Sequence, residues 1–106
     1  MATFNDIILE IKQSDSYENP EHWLDRGLNP SDAGVIQLLR NATNNFLDAL
    51  KVIYESSDTN EVTLQKIHNL VDELPWIELD TEEKEFLAEV IAPAIEATGN
   101  DPWEII

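Results

Sequence analysis

An unbroken apolar stripe from Val35 to Ile53 constrains the fold of this chain more than any other feature. Val35, Leu38, Leu39, Ala42, Phe46, Ala49, Leu50 and Ile53 are spaced by 3, 1, 3, 4, 3, 1 and 3 residues. That rhythm repeats on one face of an α-helix over about five turns. A strand, with its period of two, would scatter the same residues over both faces. Asn41, Asn44, Asn45 and Asp48 fill the other sides. In the lead-in "LNPSDAGVIQLL", Asn29 is placed to cap, Pro30 to take the first helical position, and Asp32 to sit in the first turn. The spacing predicts a helix over 30–55, about 39 Å long at ~1.5 Å per residue, as the central element. Gly34, near its start, costs roughly 1 kcal/mol relative to Ala.

The rest of the chain carries the same kind of signal. Phe4, Ile7, Ile8 and Ile11 share a face of a helix over 3–13, with Thr3 as cap and Asp6 in its first turn. Ser14 to Asn19 reads as a polar break. "NPEHWLDRG" supplies Asn19 as cap, Pro20 at the first position and Gly27 as terminator. Asp58 and Glu61 predict a capping box for a helix reaching Leu74, with core face Leu64, Ile67, Leu70, Val71 and Leu74 and a stop at Pro75. A last helix follows Asp80 or Thr81 and buries Phe86, Leu87, Val90, Ile91, Ala94 and Ile95. Pro93 is expected to kink it or to end its first segment. Gly99 is a plausible terminator, and the tail "DPWEII" is apolar enough to fold back. With three glycines and no Asn-Gly or Asp-Gly hairpin signal, no strand pattern survives. The expectation is all-α: a compact bundle of four to five helices, a single domain over 1–106, antiparallel where connections are short.

Charge bears on function. The chain holds 22 Asp and Glu against 6 Lys and Arg, a formal net charge of −16. Residues 1–53 hold 8 acids and 4 bases; residues 54–106 hold 14 acids and 2 bases. Such a field repels nucleic-acid phosphate, whose binding draws its affinity from Lys and Arg, and disfavours anionic membrane for the same reason. It attracts a basic macromolecule and speeds the encounter. A hydrophobic content of 42% is too high for a disordered polymer. The absence of cysteine rules out disulfides and thiolate metal sites. The opening "MATFNDIILEIK" lacks a basic region followed by a long apolar run, so a cytoplasmic protein is the expectation.

Motifs for chemistry are missing. "DTNEVT" begins like a calcium loop at Asp58 and Asn60, but Thr63 stands where the turn needs glycine and Asn69 where the final glutamate belongs. His22 and His68 show no HExxH spacing, and there is no GxGxxG, GxxxxGK[ST] or GxSxG. His68 reads as a boundary residue. The sequence therefore points away from an enzyme and implies no cofactor and no metal.

Between Asp72 and Glu89 stand eight acids and one lysine, Lys84. Asp80 can cap, Glu83 can close the box, and Glu82 suits the positive end of the helix dipole. Asp72 and Glu73 lie near a helix C-terminus, where negative charge is mildly unfavourable. Glu85 and Glu89, four apart, repel by a few tenths of a kcal/mol. Local penalties accepted for a negative surface make Asp72, Glu73, Glu78, Asp80, Glu82, Glu83, Glu85 and Glu89 candidate partner-binding residues. Trp76 in their midst is the candidate anchor, since aromatic residues are enriched at interface hot spots. Otherwise Trp23, Trp76 and Trp103 cover the ends of the core.

"DRGLNPSD" (25–32) and "ELDTEEKEFLAEVI" (78–91) resemble a family of small acidic bacterial helical proteins of unknown function. The resemblance implies a helical fold and no chemistry. The chain is also similar, as a class, to immunity proteins of toxin–immunity pairs, including contact-dependent inhibition systems. That likeness implies a non-enzymatic antitoxin covering the active site of a basic bacterial nuclease. The alternative is a regulatory or scaffold module whose acidity serves solubility.

Overall fold

A computed structural model describes residues 3–106. Six helices make up the described chain, and no strand occurs among the described residues. Thr3 opens α1 (Phe4–Gln13): its hydroxyl accepts from the Asp6 N–H while the Asp6 carboxylate accepts from the Thr3 N–H. Asn19 caps α2 (Pro20–Asp25) by accepting from the Glu21 N–H. This helix ends in a Schellman turn. The Gly27 N–H donates to the Leu24 carbonyl and the Leu28 N–H to the Trp23 carbonyl, both at 2.9 Å. Gly27 takes φ +76° there, a conformation that strains any residue bearing a Cβ.

The central helix α3 runs from Ala33 to Glu55, so it starts three residues later than 30–55. Asp32, not Asn29, is the cap, and its carboxylate accepts from the Val35 N–H at 3.0 Å. Pro30 thus precedes the helix instead of opening it. At 23 residues α3 is about 34 Å long. α4 (Asn60–Asp72) also departs from expectation. Thr59 caps it by accepting from the Val62 N–H, so the Asp58–Glu61 box does not form. Asp58 instead accepts from Ser56 and pairs with Lys66. Leu64, expected in the core, is 36% exposed; Ile67, Val71 and Leu74 carry the buried face.

A single 3-10 turn, Trp76–Glu78, leads to α5 (Thr81–Ala97). Asp80 and Glu83 form the expected capping box. α5 continues through Pro93 rather than stopping, and Ala94 and Ile95 beyond it are fully buried. Gly99 follows with φ +92°. Asp101 caps α6 (Pro102–Ile105), which returns Pro102 and Ile105 to the interior. α6 packs on α5 and α4, while α1 packs on α5 and α3. The tail, expected only to fold back, forms the short helix α6 and takes the count to six, above the four to five expected.

The core lies between α3, α4 and α5 around Leu39, Leu47, Leu50, Ile67, Leu87, Ile91 and Ile95, all fully buried. An aromatic group extends it under α2. Phe86 meets Trp23 edge-on, centroids 4.6 Å apart, and Tyr17 at 5.2 Å. Tyr17 comes from the segment expected to be a polar break, yet it is completely buried. Its hydroxyl bonds the Thr43 hydroxyl at 2.8 Å, and its carbonyl accepts from the Trp23 indole N–H at 2.9 Å. Arg40 fastens the end of α1. Its guanidinium donates to the carbonyls of Ile11 and Ser14 and grips Glu18 through two nitrogens.

Candidate protein-binding surface

The connection from α4 to α5 is pinned at both ends. Leu74 and Leu79 are buried, and the backbone between them closes on itself. The Trp76 N–H donates to the Leu74 carbonyl, the Glu78 N–H to Pro75, and the Leu79 N–H to Trp76. The Trp76 indole N–H donates to the Val71 carbonyl at 2.8 Å, and its half-buried ring packs against the core. Trp76 is therefore engaged by the fold, and it offers a partner only part of its surface.

The residue that this arrangement presents is Ile77. It is 96% exposed, the most exposed of the large apolar side chains among the described residues. With Leu74 and Leu79 drawn inward and Trp76 held against Val71, the tight turn has no inward direction left for position 77. The sequence signal was available: a β-branched residue between tryptophan and glutamate just after a proline. Periodicity reasoning misses it because the 3-10 turn is too short to have a face of its own. Trp103 on α6 was likewise expected to cover the core, yet it is 61% exposed while its neighbours Pro102 and Ile105 are buried. Trp23, 1% exposed, takes the structural role.

The candidate acids separate into classes. Glu83 is buried, accepts from the Asp80 N–H at 2.9 Å, and receives the Ser31 hydroxyl; its carboxylate ties α5 to the entrance of α3. It belongs to the fold, not to an accessible surface. Asp80 is exposed, but one of its oxygens accepts from the Glu83 N–H at 2.7 Å. Glu89 pairs with Arg26 across to the end of α2. That pairing answers the expected repulsion between Glu85 and Glu89, because Glu89 has its own counter-charge.

Asp72, Glu73, Glu78, Glu82 and Glu85 remain. All five are exposed, and none forms an ion pair among the described residues. Lys84 also forms none and stands alone among them. The other ion pairs among the described residues join Lys12 to Asp48, Arg40 to Glu18 and Lys66 to Asp58, and His22 Nε2 lies 3.0 Å from an Asp15 carboxylate oxygen, all outside this stretch. Among the described residues no three His, Asp or Glu side chains gather into a metal-binding group, and no helix is long and apolar enough to cross a membrane.

Comparison with known proteins adds no relative: no family model, no curated protein and no solved structure matches the chain.

Proposed function

We propose that this chain is a non-enzymatic binding protein that recognises a basic protein through the α4–α5 connection. In its most specific form the reading is an immunity protein: the acidic surface occupies the cationic active site of a bacterial nuclease toxin in place of nucleic acid. The observation that carries it is Ile77, held out from a pinned turn in a stretch whose exposed carboxylates lack counter-ions. An apolar anchor among charged groups matches how interfaces divide their work. The anchor supplies short-range burial, while the charges set encounter rate and register. A turn already fixed in place also loses little entropy on binding.

The test uses the purified product of the gene adjacent to this one. Replacing Glu78, Glu82 and Glu85 by lysine should slow association by one to two orders of magnitude (~10–100-fold) and remove most of its salt dependence. Ile77→Ser should leave association near wild type and speed dissociation about tenfold or more, from the ~1.5–3 kcal/mol of a buried isoleucine. Association rates that ignore the charge reversal, or an adjacent product that does not bind, overturn the proposal. In cells, deleting this gene alone should be toxic if the adjacent product is a nuclease.

A further inference from the structure

Glu83 stands among the acids of the α4–α5 surface without belonging to it. It is 7% exposed, while Glu82 and Lys84 on either side are exposed. It forms no ion pair among the described residues. A carboxylate withdrawn from water without a cation persists when donors satisfy its oxygens. Two donors do so here. Oε1 accepts from the Asp80 N–H at 2.9 Å, and Oε2 receives the Ser31 hydroxyl.

These donors connect two distant parts of the chain. The Glu78 N–H bonds the Pro75 carbonyl and the Leu79 N–H the Trp76 carbonyl, both within the turn. The Asp80 N–H comes next and is held by the Glu83 side chain instead, so Glu83 sets how the turn passes into α5. Ser31, 52 residues earlier, sets Glu83 in turn. Ser31 has little freedom of its own, because Leu28 packs on the core and Asp32 caps α3. At the start of the same segment Arg26 lies over the Phe86 ring and pairs with Glu89. Residues 26–31 thus hold α5 at two places, and the Ser31 contact is the one that continues through Glu83 to Asp80.

We infer that Ser31 is a positioning residue for the α4–α5 surface: through Glu83 and Asp80 it fixes the turn that holds out Ile77, a role that rests on reading that surface as a protein-binding site. Without the hydroxyl, Oε2 is a buried charged acceptor with no donor. The carboxylate recovers a partner by swinging toward water, which surrenders the Asp80 N–H as well, so one deletion opens the capping box. A loosened turn must then be ordered at each binding event, and affinity falls.

Native-state hydrogen exchange on the free protein reads the first step. In Ser31→Ala the amides of Leu79 and Asp80 should exchange about tenfold faster, the loss of one hydrogen bond to a charged group, while the core amides of Leu47 and Ile91 change less. Affinity for the purified product of the adjacent gene reads the second, and should fall about threefold or more. Ser31→Thr keeps the hydroxyl and should restore both. Ser31→Cys, a weaker donor, should lie between, and serves in place of alanine if that variant does not fold. Ser56→Ala takes a hydroxyl from the Asp58 carboxylate beyond α3 and should change neither. Equal acceleration of turn and core amides, or a threonine variant that does not rescue, reduces Ser31 to a general stabilising contact and overturns the inference. Faster turn exchange with unchanged affinity overturns it too. An adjacent product that does not bind the wild-type chain overturns the docking reading itself, and this role with it.

Discussion

The hydroxyl pair between Tyr17 and Thr43 gives a sharp test of how this core is specified. Both residues are fully buried and their oxygens lie 2.8 Å apart. Tyr17→Phe strands the Thr43 hydroxyl, and Thr43→Val strands the phenol; an unsatisfied buried hydroxyl costs about 1–3 kcal/mol. Each single variant should lose about 2 kcal/mol. The double variant should lose less than either, because removing both polar partners leaves an apolar contact of nearly the same shape. In urea, with a slope of about 1–2 kcal/mol per molar, each single variant should lower the midpoint by roughly 1–2 M, and the double should recover most of it. Alkaline titration supplies an independent readout. Burial raises the Tyr17 pKa well above the ordinary phenol value of about 10. Between those two values the unfolded chain releases the proton and the folded chain keeps it. Stability conferred by the neutral phenol is therefore complete below pH ~10 and declines above it by about 1.4 kcal/mol per pH unit. Tyr17→Phe should remove that part of the alkaline decline. Additive losses in the double variant, within about 0.5 kcal/mol, would falsify the buried-pair reasoning.

Three other perturbations probe the frame. Pro93→Ala restores an N–H for the Glu89 carbonyl within a helix that already continues past this position, and should stabilise the chain by about 1–3 kcal/mol in thermal melts; destabilisation would mean that the proline ring supplies packing its exposure conceals. Gly27→Ala introduces a Cβ that meets nothing within 4 Å, so the expected loss of about 1 kcal/mol isolates backbone strain at φ +76°; no loss would mean that the turn relaxes. Arg40→Met leaves the Ser14 carbonyl without its donor and the Ile11 carbonyl with the Ser14 N–H alone, and should cost about 1–3 kcal/mol by urea titration. Its pH signature is distinct. The Arg40 guanidinium holds the Glu18 carboxyl below its ordinary value, so the pair's stabilisation is present above about pH 4.5 and is lost as pH falls through the lower folded value. The Met variant should lack that acid-side decline, and a retained slope would move its origin elsewhere.

Most helices of this chain were legible because their signals are local. A cap and the N–H groups it satisfies lie within three residues, as at Thr3, Asn19 and Asp80. Where two local candidates compete, the sequence alone does not choose. Asn29 and Asp32 both suit a cap before α3. Asp32 wins in the structure, where Ser31 beside it donates to Glu83 of a distant helix. Thr59 displaces Asp58 while Asp58 pairs with Lys66. Tyr17 was illegible for the same reason. Nothing within Ser14 to Asn19 announces a core residue, and its burial depends on Thr43, Trp23 and Phe86.

The acidic surface was legible as an amount of charge but not as a pattern, and the difference lies in where the cations go. Lys12, Arg26 and Arg40 each join segments that are distant in sequence, α1 to α3, α2 to α5, and α3 to the turn at Glu18. Lys66 serves the start of its own helix. Four of the six cations are thus committed, three to joining segments of the bundle and one to a helix start, and their counter-charges lie outside residues 72–85. A chain that needed acidity only for solubility would be served equally well by an even spread of charge. In the α4–α5 stretch, exposed carboxylates without ion pairs flank Ile77, the most exposed large apolar side chain among the described residues. Charge without an anchor gives fast but weak encounter, and an anchor without charge gives contact without register. Their coincidence at the α4–α5 connection is why the Ile77→Ser and charge-reversal variants should separate cleanly into dissociation and association effects. A common loss in both rates would mean that the two features act as one structural unit instead of as an interface.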